Sequence, residues 1–151
     1  MVLMIIVGAL IMGAVVTFLQ IPPNWVAWIK SLGVANWVVM LFLTIIYIIL
    51  GMFLEVASIL LITIPIFYPL IKELGYNGVW FGVAVTALME LALITPPVGL
   101  NLFVIQGIGK ASLKDVSAGS FAFMILLLTG LLIMWFFPQI VLYLPSTMGY
   151  H

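Results

Sequence analysis

Of 151 residues, 67% are hydrophobic and only 5% are charged, with a mean hydropathy of +1.46, a composition that excludes a water-soluble domain and marks an integral membrane protein. Net charge is zero, with four lysines and no arginine, so nothing in the chain invites nucleic acid or a polybasic lipid contact. Cysteine is absent and the single histidine is the terminal His151, which excludes disulfides and Cys- or His-based metal centres; with only Glu55, Glu73, Glu90 and Asp115 as carboxylates and no histidine to activate a serine, the inventory is not that of an enzyme.

Uncharged runs at Met1–Ile29, Ser31–Leu54, Leu91–Gly109 and Val116–Tyr150 each reach the roughly 18 residues of a spanning-helix candidate. The first run lacks a basic start and reads as a transmembrane helix over 1–19 rather than a cleavable leader. It ends in "QIPPNWVAWIK", an interfacial connector over 20–34 whose Trp and Lys suit the headgroup level. Within it, 24–30 fits a short surface helix with Trp25, Trp28 and Ile29 as its buried stripe.

Residues 35–72 form two apolar arms, about 35–50 and 56–71, separated by "GMFLE" and closed by "KELGYNG". Each arm is about 24 Å long, short of the roughly 30 Å hydrocarbon core. Two readings are open: ordinary spanning helices with Gly51 and Glu55 in a wet turn, or a re-entrant hairpin whose tip is buried in protein or lines a cavity. Thr44, Ser58 and Thr63 are expected to bond to their own helix backbone.

Residues 79–109 carry Glu90 and then "LITPPVGLN", in a stretch where a membrane helix would ordinarily be continuous. Pro96 and Pro97 have no N–H for the carbonyls of Ala92 and Leu93. Thr95 and Pro96 each precede a proline and are driven from the α region, while Gly99 permits a close approach. The helix is therefore expected to break near 94–97, with Thr95 capping a second half-helix that begins at Pro96 and runs to about Gly109. Such a break offers carbonyls to a cation and N–H groups to an anion, the arrangement of midplane sites in secondary transporters. The plain alternative is a kink that binds nothing; Pro22-Pro23 shows the same dipeptide at a helix end, where it only connects. Glu90, five residues before Thr95, either faces the break or lines the protein interior.

Beyond the break, Ser112 and Asp115 have the spacing of an N-cap with an acidic third residue. A last helix over about 116–144 follows, kinked at Pro138. Lys30 and Lys72 fall on one side of this topology and Lys110 and Lys114 on the other, so the lysines do not set its orientation.

"GMFLEVASILLITIPIFYPLIKELGYNGVWFGV" followed by "LITPPVGLNLFVIQGI" resembles the C-terminal portion of the large membrane subunit of tripartite ATP-independent periplasmic (TRAP) transporters. Three ordered motifs carry the resemblance: the Gly-Met-Phe-Leu-acid tip, the Ile-Pro-Ile-x-x-Pro arm and the Thr-Pro-Pro-Val-Gly break. It implies an all-α, elevator-type transporter half, with 35–72 as a re-entrant hairpin and 79–109 as a discontinuous helix. It further implies sodium-driven uptake of organic acids, no cofactor, and sodium as the coupling ion. Carried over residue by residue, the sodium half-site falls on Gly51, Glu55, Thr95, Pro96 and Gly99, and the substrate site on Thr95, Pro97, Gly99 and Asn101. The implied partners are a small membrane subunit, a periplasmic substrate-binding protein, the remaining N-terminal part of the large subunit and the lipid bilayer, in the inner (cytoplasmic) membrane of a bacterium or archaeon. Leu88 and Ala92 stand where the family commonly has Asn and Gly, and Glu55 where it often has Asp. One hairpin and one broken helix are half of what the family pairs, so the chain alone is not expected to transport. The other readings are a non-transporting remnant or assembly module, distinguished by an upstream reading frame, and another ion-coupled carboxylate transporter of this architecture, distinguished by neighbouring genes.

Overall fold

The structure, a computed structural model, describes residues 2–31 and 33–148, and among these every regular element is helical. In chain order the helices are α1 (Val2–Phe18), α2 (Ile21–Ser31), α3 (Asn36–Phe53), α4 (Val56–Glu73), α5 (Gly78–Leu93), α6 (Leu100–Gly109), α7 (Leu113–Phe136) and α8 (Gln139–Thr147). Three of them, α3, α4 and α7, are long and apolar enough to cross a membrane. Ile108, Phe136 and Leu3 are each more than three-quarters exposed, a surface suited to hydrocarbon rather than water. The protein is an all-α membrane protein.

The helices begin where a side chain can take up their free N–H groups. Asn77 Oδ1 accepts from Val79 and Trp80 at the start of α5. Ser112 Oγ accepts from the Asp115 N–H and its hydroxyl donates to the Asp115 carboxylate at the start of α7, the pairing that their spacing leads one to expect. Glu55 caps α4, accepting from Ala57 and Ser58.

Proline accounts for two of the places where the helix bounds differ from the sequence-based ones. α2 starts at Ile21 rather than Asn24, with Pro22 and Pro23 inside its first turn; N–H groups there have no partner within the helix, so their absence costs nothing. At the other end Pro138 divides the expected 116–144 helix into α7 and α8 instead of kinking it. Phe137 precedes that proline and sits at φ −126°, ψ 68°, outside the helical region, as the proline ring demands.

The core lies between α3, α4 and α5. Tyr47, Ile59, Leu70, Ile71, Phe81 and Met89 are among its most deeply buried members. With lipid as apolar as leucine, such a core is held by close packing and interhelical hydrogen bonds rather than by escape from solvent. α3 packs chiefly on α5, α1 and α2 lie against α4, and α7 runs beside both α5 and α6. Trp25, Trp28 and Ile29 line an apolar groove with Val38, Phe42 and Phe67, so the stripe on α2 is turned toward the hairpin of α3 and α4. At one end of the bundle the helices are stitched: the Asn36 amide donates to Leu74 O at 3.0 Å and Trp80 Nε1 donates to Met134 O at 2.9 Å.

Candidate functional site

α3 and α4 form a hairpin joined by Leu54 and Glu55, and the depth of its turn follows from one contact. Gly51, in the last turn of α3, lies against Ala92, the penultimate residue of α5; an added Cβ at Gly51 would be 2.5 Å from Ala92 Cβ and 3.6 Å from Met89 Cε. The hairpin turn therefore lies level with the end of α5. α5 has 16 residues, α6 has 10 and α7 has 24, so α6 adds about 15 Å beyond that level while α7, about 36 Å long, runs beside both.

Between α5 and α6 the backbone leaves the helix at Ile94 (φ −108°, ψ 3°) and re-enters it at Leu100. Thr95 does not cap the second half-helix, as its place before Pro96 suggests. Its hydroxyl reaches back to donate to Leu91 O at 2.6 Å, an acceptor one turn away in its own helix. α6 starts after Gly99, which has no side chain to cap it, and the first N–H bonded into it is that of Leu102, to Gly99 O at 2.8 Å. Pro96 is not the first residue of α6 because Pro97 behind it disfavours the α region there.

Of the two carbonyls left by the prolines, Ala92 O is not free: it accepts the Thr95 N–H at 3.2 Å. Leu93 O turns instead toward Gly99. A Cβ at Gly99 would lie 2.9 Å from both Leu93 O and Thr95 O, so these two oxygens are no more than twice that distance apart. Gly99 is buried, and its φ of +33° is one that a side chain resists. The break thus gathers two backbone carbonyls around one glycine, next to the electronegative end of α5.

The expected site residues divide between two levels of involvement. Thr95 O lies beside Gly99, while Gly51 touches Ala92, three residues before Thr95. Pro96 and Pro97 are exposed, and Asn101 is half-buried in the first turn of α6. Glu55 is exposed, and its two carboxylate oxygens accept from Ala57 N, Ser58 N and the Ser58 hydroxyl; Ser58 therefore bonds to Glu55 rather than to its own helix backbone. Thr44 and Thr63 do bond to backbone, at Met40 O and Ile59 O. Glu90 is exposed on α5, on the face away from buried Leu88 and Met89. Among the described residues no three acidic, His or Cys side chains cluster as a metal site. What is on offer to a cation is backbone oxygen, a donor set for a hard ion and not for a transition metal.

One polar pair has no counterpart among the sequence-based expectations: the Tyr47 hydroxyl lies 2.9 Å from Thr63 Oγ1 in the middle of the hairpin. Tyr47, the one tyrosine of the first arm, was its only trace.

Comparison with known proteins settles the family. Residues 1–140 match the family described as "Tripartite ATP-independent periplasmic transporter, DctM component". The chain belongs to that family. It is 36% identical over 149 residues, 99% of its length, to the C4-dicarboxylate TRAP transporter large permease protein DctM of Pseudomonas aeruginosa. To the proteins of the same name from Rhodobacter capsulatus and Vibrio cholerae it is 32% and 31% identical, over 99% and 97% of its length. It spans about a third of the length of these relatives, at 35%, 34% and 32%. These DctM relatives are permeases rather than enzymes, and the apolar helices described above are those of a membrane-embedded member of the same family.

Proposed function

We propose that this chain forms one half of the transport unit of a TRAP large permease in the inner membrane, coupling sodium to the uptake of organic acids. In this reading α3 and α4 are a re-entrant hairpin, α5 and α6 a discontinuous helix, and the two move together between the faces of the membrane. The observation that supports it is the convergence of Leu93 O and Thr95 O on Gly99 at the depth where the hairpin reaches the end of α5. Two carbonyls exposed in hydrocarbon would cost several kcal/mol; a sodium ion there would take up both. The N-terminal end of α6, with Asn101 in its first turn, faces the same break and suits a carboxylate. The relatives named for C4-dicarboxylates favour a small organic acid as substrate. A periplasmic binding protein, a small membrane subunit and the remainder of the large subunit complete the system.

The test is uptake of a radiolabelled C4-dicarboxylate into proteoliposomes holding the complete permease that contains this segment, driven by an inward sodium gradient. Replacing Pro96-Pro97 with Ala-Ala lets the helix close over the break, and sodium-dependent uptake is expected to vanish while the protein still inserts. Uptake at the native level in that variant would reject the site.

A further inference from the structure

The strongest polar feature outside the break is buried within the hairpin. Tyr47 has no exposed surface and Thr63 is 6% exposed. Thr63 Oγ1 lies 2.8 Å from Ile59 O, and a carbonyl only accepts, so the threonine proton is committed there. The bond between Tyr47 and Thr63 therefore runs one way, with the tyrosine donating. The Tyr47 ring meets Phe67 of α4 edge-on at 5.8 Å between centroids and Phe81 of α5 at 6.3 Å. Leu43, Tyr47 and Gly51 are buried on one face of α3, four residues apart, so the residue that grips α4 is one turn from the residue that touches α5.

Among the described residues, no other side-chain hydrogen bond joins the body of α3 to that of α4; the only other polar link, from Asn36 to Leu74 O, is at the far end. Near the tip, then, Tyr47 supplies the polar link that ties α4 to α3, beside the apolar packing of Ile59. Tyr47 is six residues before the end of α3 and Thr63 seven after the start of α4, placing the pair about 10 Å from the hairpin turn.

We infer that Tyr47 and Thr63 are positioning residues for cation binding: their hydrogen bond fixes the hairpin tip, and with it the start of α4, against the Leu93–Gly99 break. This rests on the sodium-coupled reading above. Neither residue touches the break. They act through Gly51 and Glu55, by denying the two arms freedom to slide or splay.

Three variants of the complete permease test it: Tyr47→Phe, Thr63→Val and the double variant. Tyr47→Phe removes the donor and keeps the ring. Thr63→Val strands a buried tyrosine hydroxyl, which is worse than removing both partners. Spin labels at Phe53→Cys and Ile108→Cys, both exposed, in a permease otherwise free of cysteine, report the distance from the tip to the end of α6. Tyr47→Phe is expected to broaden that distance distribution and to raise the half-saturating sodium concentration for uptake by three-fold or more. Thr63→Val should do so more strongly, and the double variant should fall back toward Tyr47→Phe. A distance distribution that Tyr47→Phe leaves unchanged overturns the inference whatever the transport result. A lowered melting temperature with unmoved sodium dependence also overturns it, because the pair would then be structural only. If the native permease shows no sodium dependence, the sodium-coupled reading fails, and this inference with it.

Discussion

Gly51→Ala adds one methyl group at the point where the hairpin meets the end of α5. The new Cβ would stand 2.5 Å from Ala92 Cβ, with Met89 Cε and Sδ at 3.6 and 3.8 Å. Ordinary carbon contacts begin near 3.5 Å, so α3 and α5 must separate by about 1 Å. Met89 is flexible but stands at ordinary contact distance, so moving it relieves nothing; Ala92 has no exposed surface, and its methyl has no torsion by which to swing aside. Overpacking of this kind costs about 1–3 kcal/mol, and the displacement falls on the last turn before the tip. The apparent melting temperature of the purified permease is expected to drop, and its uptake to fall with it. The compensating change is Ala92→Gly, which removes the opposing methyl: Gly51→Ala with Ala92→Gly should regain most of both losses. A single variant that melts and transports as the native protein does, or a double variant no better than the single, would refute the contact as the determinant of hairpin depth.

Gly99→Ala meets backbone on two sides, with Leu93 O and Thr95 O each 2.9 Å from the added carbon and a φ of +33°. The strain is about 1–3 kcal/mol, and sodium-driven uptake is expected to be lost in protein that still reaches the membrane; native uptake would show that the two carbonyls do not serve the cation. Trp80→Phe removes the hydrogen bond to Met134 O at the opposite end of the bundle. It should lower thermal stability by about 1 kcal/mol yet leave the half-saturating sodium concentration unchanged in the same uptake assay, and a shift in that concentration at native stability would contradict the separation of the two ends.

The position of the break is legible in the sequence because two adjacent prolines remove two N–H groups in succession and drive Thr95 and Pro96 from the α region; α5 ends at Leu93, whereas the separate Pro65 and Pro69 are carried inside α4. How the chain continues is less legible, because several local rules compete there. Thr95 has the identity of a cap, but Leu91 O is nearer to its hydroxyl than any N–H of α6. Pro96 has the identity of a first helical residue, but Pro97 follows it. Rules for single residues do not rank such conflicts; the three-dimensional arrangement does. Ser112 and Asp115 raise no conflict, and their cap forms as the spacing suggests. Glu55 was legible as a tip residue, whereas its commitment to the N–H groups of α4 depends on the hairpin turning at Leu54. The Tyr47–Thr63 bond joins residues sixteen apart and leaves no periodic signature, since either side chain is equally compatible with a helix facing lipid.

The stitched end of the bundle has a mechanical consequence. There Trp80 stacks on Tyr76 at 5.7 Å and leans on Trp135 at 6.5 Å, its indole held by Met134, while Tyr68 closes over Gly78 so tightly that a methyl would strike its ring at 2.7 Å. The starts of α3 and α5 and the ends of α4 and α7 are thus clamped together, whereas at the opposite end the hairpin approaches the end of α5 through Gly51, against Ala92 and Met89. A body fastened in this way behaves as a cantilever. Its deflection under thermal agitation is expected to grow with distance from the clamp and to be greatest at the loop from Leu93 to Gly99 and at the hairpin turn, with the aromatic end as the fixed frame.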